Sequence, residues 1–541
     1  MLKKLFFICI FISILYLGHT PSYAIDFSID QNMTIDCSIE ETCKVLNNIS
    51  ITNNTNEMFV SEYTLNTGFK NIDKVNAKDS KKNAFLTKIE QVNDQNSIII
   101  KFEKPILGKD SVTNLTVSYE TKEIVKKTGK IWEISIPKIN ETEENNNINI
   151  NVSVPKIFGP LMYATPKPTN QKETNEEISY SFNNNTPING INMAFGDYQL
   201  FNFEIYYYLK NPDKILSKDF EVPFPPNITD IQKVFITNIN EKPINLIVDE
   251  NGNYIATYTL KAEETKRIEI YGLIQVFNKE LNIEKGGKFE DIPKKMVEEY
   301  TKSQKYWEIE NKQITDIANS LTNRNENVSE NAKKVYDFVT TTLKYSVERT
   351  KRNYLERYGA YKALQNPNDA VCMEFTDLTI ALLRAMKIPA REINGYAHSE
   401  DLSKRPLSVF YDNNKDLLHS WVEFYDPNFG WVEIDPTWGQ TSGLDFFSKV
   451  GVNHIVFVRK ENPNYPLPPG VYKDELGNKK SVVITFGNED LLKENPKPIE
   501  SFLNKKGNFD LSALIIVTLL AMPALYMIYL VLRGLLEDPR R

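Results

Sequence analysis

Apolar and polar positions alternate with a period of two through the N-terminal half of the chain. Ile148, Ile150, Val152 and Val154 are interleaved with Asn149, Asn151 and Ser153. The same spacing runs through Leu115, Val117 and Tyr119, through Trp132, Ile134 and Ile136, and through Phe201, Phe203, Ile205 and Tyr207. Successive side chains of a strand point to opposite faces, so this pattern predicts strands with one buried face. Asp249-Glu250-Asn251-Gly252-Asn253 supplies turn residues between two apolar runs. No long stretch from Ile25 to about Val276 has helical spacing. Short strands with frequent turns predict all-β sandwich-type modules, one over residues 25–158 and a second over 159–285. The stretch Pro155–Thr174, rich in Pro, Lys and Thr, is the expected divide.

Near Asp291 the period changes. Ile314, Ile317, Ala318 and Leu321 fit one face of a helix. Ser329 is placed to cap a second helix, with Ala332, Val335, Val339 and Leu343 facing inward. Pro367, Asn368 and Asp369 are helix-start residues ahead of Phe375, Leu378, Leu382, Leu383 and Met386, which puts Cys372 in the first turn of a buried helix. Two strands follow, with His419, Trp421, Glu423 and Tyr425 on one face of the first and Trp431, Glu433 and Asp435 alternating along the second. Asp426-Pro427-Asn428-Phe429-Gly430 is the turn between them. If Tyr425 pairs with Trp431, His419 and Asp435 share a face one diagonal step apart; a one-residue slip would separate them. Residues 286–460 therefore read as an α+β core. Val482–Phe486 is a last strand, within a β extension and linker over 461–508.

The two ends of the 541-residue chain carry different signals. Lys3 and Lys4 precede an apolar run, Leu5–Leu17, and the small residues of Ser22-Tyr23-Ala24, the order of a signal peptide over 1–24. Leu511–Leu532 holds no charge and is long enough for a hydrocarbon core of about 30 Å. A transmembrane helix over 509–533 with a cytoplasmic tail over 534–541 is expected, leaving the body outside the cell membrane. The net charge of −7 comes with both signs interspersed, so no nucleic-acid partner is expected.

Composition matters most through cysteine. The four cysteines are Cys9, Cys37, Cys43 and Cys372. Cys9 lies in the expected signal peptide, and Cys37 and Cys43 are close enough to bridge a tight hairpin. Cys372 is then the one unpaired thiol of an extracytoplasmic protein. A lone cysteine is by itself more often a buried small hydrophobe. A helix start favours its thiolate, and the hairpin delivers an imidazole and a carboxylate together, as a nucleophile with its base and orienter requires. His398 and His454 take the commoner structural role of strand histidines.

These residues carry a family likeness. Cys372-x-Glu374, the run Leu382-Leu383-Arg384-Ala385-Met386-Lys387-Ile388-Pro389-Ala390-Arg391, Gly395-Tyr396, His419-Ser420-Trp421-Val422-Glu423 and Gly430-Trp431-Val432-Glu433-Ile434-Asp435-Pro436-Thr437 follow in that order. Together they resemble the core signature of the transglutaminase-like superfamily, over about Asp291 to Val458. The resemblance implies a papain-like α+β core with Cys372 as nucleophile, His419 as base and Asp435 as orienter, and with Arg391 and Trp421 close to the site as binding or framework residues. Tyr345 and Gln365 are the candidates for completing an oxyanion hole. No cofactor or metal is expected: the Cys-x-x-Cys zinc pairs of the peptide N-glycanase branch and any EF-hand loop are missing from the sequence. The expected partner is a protein or peptide substrate, attacked at an amide or peptide carbonyl and resolved by an amine or by water. The rival expectation is a non-enzymatic adhesion or assembly protein with a vestigial core. Truncation before Phe509 should release the body from membranes; a truncated protein that still sediments with them would rule out a single C-terminal anchor.

Overall fold

The computed structural model describes residues 26–503, apart from 93–94, 138–144, 184–189, 280, 351–354, 398–417, 443–444, 448–449 and 473–480. The expected signal peptide, transmembrane helix and tail lie outside the described residues. Among the described residues no helix is long and apolar enough to cross a membrane. The chain divides into two compact units. One comprises the described residues up to 200 with those of 276–282 and 442–453; the other comprises those of 201–275 and 283–441 with the described residues from 454 onward.

In the first unit the period-two pattern becomes sheet. Strand Phe27–Cys37 folds back on Cys43–Asn53 with Cys37 opposite Cys43, and these two cysteines form a disulfide. On its other side the first strand pairs in parallel with Asn145–Pro155. Ile150, Val152 and Val154 are buried, while Asn147 and Asn149 donate side-chain hydrogen bonds to Asp30 and Asn32 on the neighbouring strand. A seven-stranded sheet is joined by sheets of four and three strands. Their apolar faces share one core, which includes Ile35, Val45, Ile98, Val117, Val152 and Phe195. The expected divide at residues 158 and 159 falls inside this unit. Asn145–Pro155 pairs with Glu177–Phe182, and Leu161–Thr165 pairs with Ile191–Phe195. The Pro- and Lys-rich stretch is a crossing between strands of one unit, and loop chemistry is the same whether a loop joins strands or modules.

The second unit contains a five-stranded sheet in the order Val482–Phe486, Gln199–Lys210, Thr265–Val276, Gln232–Ile239 and Lys497–Pro498. The stretch expected as extension and linker thus supplies both edge strands of a sheet whose centre comes from residues 199–276.

Between those strands the chain forms the α+β core. Helices Lys312–Leu321, Val328–Thr342 and Cys372–Ala385 pack together, and the last lies on a four-stranded antiparallel sheet. The strand order there is Gly430–Ile434, His419–Asp426, Ala390–Ala397 and His454–Lys460. The cap of the second helix is Asn327, not Ser329. Asn327 accepts from the Glu330 amide at 2.8 Å, and Glu330 returns a carboxylate to the Asn327 amide at 2.8 Å. This reciprocal capping box satisfies two helix-start amides. Ser329 is instead buried and donates to Asp426 at 2.6 Å. At the far end of the Cys372–Ala385 helix, buried Arg384 donates to the carbonyls of Ala390, Lys302 and Glu461. Burial lowers its pKa to about 9, with the Glu461 carboxylate opposing the shift. Replacing Asn327 by Ala should cost about 1 kcal/mol of stability, measured as a drop in the urea midpoint at unchanged slope; an unchanged midpoint would remove the capping box from the stability of this helix.

Candidate active site

Cys372 is the first residue of the Cys372–Ala385 helix and a half-buried free thiol. The second residue after it explains how that helix start is held. The Glu374 carboxylate reaches back and accepts from the Val371 amide at 3.0 Å. Arg349 grips the same carboxylate with two bonds, 2.6 Å to Oε2 and 3.0 Å to Oε1, and the Tyr358 amide adds a third donor at 2.9 Å. Both ions are almost fully buried. Such a pair is tolerated only when its remaining lone pairs are met, and here they are.

The hairpin adopts the register in which Tyr425 faces Trp431 and Val422 faces Ile434. His419 Nε2 then lies 2.7 Å from Asp435 Oδ2. The other carboxylate oxygen, Oδ1, accepts from the amides of Thr437 at 2.9 Å and Trp438 at 3.0 Å. Asp435 therefore caps the short helix Pro436–Ser442 as well, with Pro436 at the first position, where no amide hydrogen is needed. Burial disfavours the carboxylate, but His419 and then His454 outweigh it and hold Asp435 well below the ordinary carboxyl range. Burial likewise disfavours a charged His419 ring. Asp435 first, and Cys372 after it, overcome that and raise its pKa to about 9. Nε2 of the ring is committed to Asp435, and its Nδ1 is buried without a hydrogen-bond partner among the described residues.

His454 belongs to this centre. Its Nε2 lies 2.9 Å from the same Asp435 oxygen, and its ring packs edge-on against Trp438 at 4.9 Å and Trp421 at 5.1 Å. The sequence assigns it a merely structural role, because it starts a strand on the far side of Ala390–Ala397, and strand order is not written in local periodicity. His398 lies outside the described residues. The donor atoms of His419, Asp435 and His454 fall within 4.8 Å of one another, as a metal centre would need. Both ring nitrogens, however, already point at one oxygen, which is the arrangement of a hydrogen-bonded carboxylate.

The other expected residues separate. Trp421 stacks on His419 with centroids 5.6 Å apart and donates from Nε1 to Glu433 at 3.0 Å. Arg391 is buried; it donates to Glu423 at 2.6 Å and to Asn251, and lies 3.9 Å over the Trp431 ring. Its guanidinium is thus engaged inside the protein, where it braces the hairpin. Tyr345 bridges to Ala370 through its backbone and donates its amide to Gln440 at 3.3 Å. Its pKa is raised by burial and next by Cys372, which puts it in the electrostatic surroundings of the thiol. Gln365 is elsewhere, donating to Gln313 on the surface at 2.9 Å. Gln440 carries no sequence signal and comes near only because Asp435 starts the helix that contains it.

Residues 315–436 match the profile of the Transglutaminase-like superfamily, and the chain carries a transglutaminase-like domain over that stretch. An uncharacterised protein, YebA, of Bacillus subtilis is 26% identical over 211 residues, 36% of this chain and 25% of that protein. A protein-glutamine gamma-glutamyltransferase of Pseudomonas aeruginosa is 30% identical over 80 residues, 15% of this chain and 12% of that enzyme. The chain thus spans a quarter or less of these relatives' length. Among solved structures, the periplasmic domain of TgpA from Pseudomonas aeruginosa, bound to ethylmercury, is matched over 46% of this chain and 92% of its own at 12% identity, with a TM-score of 0.25. A Cytophaga hutchinsonii protein provisionally assigned as a cysteine protease is matched over 54% and 87% at 15% identity, with a TM-score of 0.35.

Behind Trp421, Glu433 sits directly opposite Glu423 in the ladder. Burial first and the Glu423 charge second raise the Glu433 pKa to about 8. A carboxyl that keeps its proton only when folded loses stability as pH climbs from its unfolded pKa of about 4.3 toward the folded one. Glu433→Gln keeps an acceptor for Trp421 and cannot ionise. Its Tm advantage over the wild type should widen between pH 5 and pH 8; a constant difference would show that Glu433 is ionised throughout.

Proposed function

We propose that this chain is a cysteine-nucleophile enzyme acting on amide or peptide carbonyls of proteins, either transferring the acyl group to an amine or hydrolysing it. One observation carries the reading: a free thiol at a helix start lies in the electrostatic surroundings of an imidazole that a buried carboxylate holds at 2.7 Å. The likeness of a short stretch to a protein-glutamine gamma-glutamyltransferase supports a carboxamide substrate. The expected C-terminal helix would place the activity at the outer face of the cell membrane.

In this reading the Cys372 sulfur attacks the carbonyl carbon, and the carbonyl electron pair moves to oxygen. Backbone amides of the first helical turn would then serve as donors to that developing charge. When the tetrahedral species collapses, the C–N bond breaks and His419 gives its proton to the departing amine. A thioester on Cys372 remains. An incoming amine or water then loses a proton to His419 as it attacks, and the sulfur leaves as thiolate. Asp435 takes no proton; it fixes the ring and stabilises its charged form.

Mass spectrometry of the purified protein with a glutamine-rich protein and a labelled amine tests both branches. Label incorporated at glutamine indicates transfer, and deamidation or chain cleavage indicates hydrolysis. Cys372→Ala should abolish either product while the protein stays folded. His419→Ala should cut turnover by roughly 10³-fold or more, and Asp435→Asn should leave weak residual activity. The charged ring is present below a pH of about 9 and lost above it, so the rate should fall on that alkaline side. Wild-type turnover in a folded Cys372→Ala protein would overturn the mechanism. No covalent product in any assay, with an unreactive thiol, would favour a vestigial core.

A further inference from the structure

We propose that His454 is a positioning residue that shares the Asp435 carboxylate with His419, orienting it and keeping it from holding the His419 proton too tightly. This rests on the catalytic reading above and extends it to a residue outside every motif that carries the family likeness.

An ionised carboxylate only accepts, through about four lone-pair sites. On Asp435, Oδ1 is filled by the Thr437 and Trp438 amides, and Oδ2 is filled by Nε2 of His419 and Nε2 of His454. Each of those ring nitrogens must therefore carry a hydrogen. The carboxylate is saturated, and its orientation is fixed from four directions. Because two rings draw on one oxygen, neither receives its whole charge. With one ring removed, the remaining bond to His419 strengthens and its proton is held harder. A general acid and base works best with a pKa near the working pH, so the second ring moves the first toward usefulness.

The surroundings agree. Trp421 and Trp438 wall His454 with uncharged rings. Among the described residues, Cys372 and Asp435 act on the His419 ring, and His419 and His454 act on Asp435. Asp435 is lowered by His454 as well as by His419, as sharing requires.

Two readouts on the full chain test this. Iodoacetamide alkylation of Cys372 is followed against pH, and the His419 ring titration is followed by NMR in Cys372→Ala protein with labelled histidine, where only four histidines need assignment. His454→Phe keeps a ring but no donor; His454→Gln keeps an N–H near the Nε2 position. The His419 inflection should rise by about half to one pH unit in His454→Phe and return in His454→Gln, the size expected when a carboxylate loses one hydrogen bond. If His454→Phe does not fold, His454→Asn, whose donor is too short to reach Oδ2, should show the same rise. A ring that only fills space would lower Tm and leave the inflection in place, and that outcome overturns the proposal. An unreactive Cys372 in the wild type would instead overturn the catalytic reading, while the NMR titration still decides the role of His454.

Discussion

The Asp435 carboxylate is the interaction on which the rest of the centre depends. It lies fully inside the protein, where an ion without partners is untenable. Four hydrogen bonds make it tenable, and they come from three structural commitments: the hairpin register supplies His419, the sheet order supplies His454, and the turn into Pro436–Ser442 supplies two amides. Loss of any of these leaves a buried charge short of a donor, so the local fold and the candidate site are stabilised by the same bonds.

Two further ionic networks hold the Cys372–Ala385 helix against its neighbours. Arg349 and Glu374 fix its first turn to the preceding segment. Half-way along, Asp377 is met by Arg357 Nε at 3.0 Å and by Trp307 Nε1 at 2.9 Å, and Arg357 continues to Glu392 at 3.0 Å. Burial raises Asp377 to about 7, with Arg357 opposing the shift. Ser420, next to His419, donates to Glu392 at 3.1 Å. A chain of polar contacts therefore runs from the helix of the thiol to the strand of the imidazole. Breaking one member of a buried pair costs about 3–5 kcal/mol, which makes independent movement of the two elements unfavourable.

How much of this was legible depended on sequence distance. The period of two located strands such as Asn145–Pro155 and Gln199–Lys210, and the hairpin turn from Asp426 to Gly430 implied its own register because the loop is short. The motif residues Cys372, His419 and Asp435 could be read as a set for that reason. What failed was whatever depends on pairing between remote segments. His454 looked like any strand histidine until the sheet order put it beside Asp435. The break at Pro155–Thr174 looked like a domain boundary because loop composition does not record where a chain goes next. Ser329 looked like a cap because capping residues are defined by type, and Asn327, two positions earlier, won through its reciprocal bond with Glu330.

The five-stranded sheet of the second unit has an order-of-synthesis consequence. Phe203 pairs with Ile484, and Phe235 with Pro498, across the whole length of the intervening α+β core. Such pairings close very long loops, and contacts of that kind form late. A nascent chain that has completed the core still presents two open strand edges, at Gln199–Lys210 and at Gln232–Ile239, each a template for another chain. The core is thus held as an insertion whose two ends are sewn into one sheet only by the last described strands, and a protein cut behind Glu461 would have a frame left unhemmed on both sides.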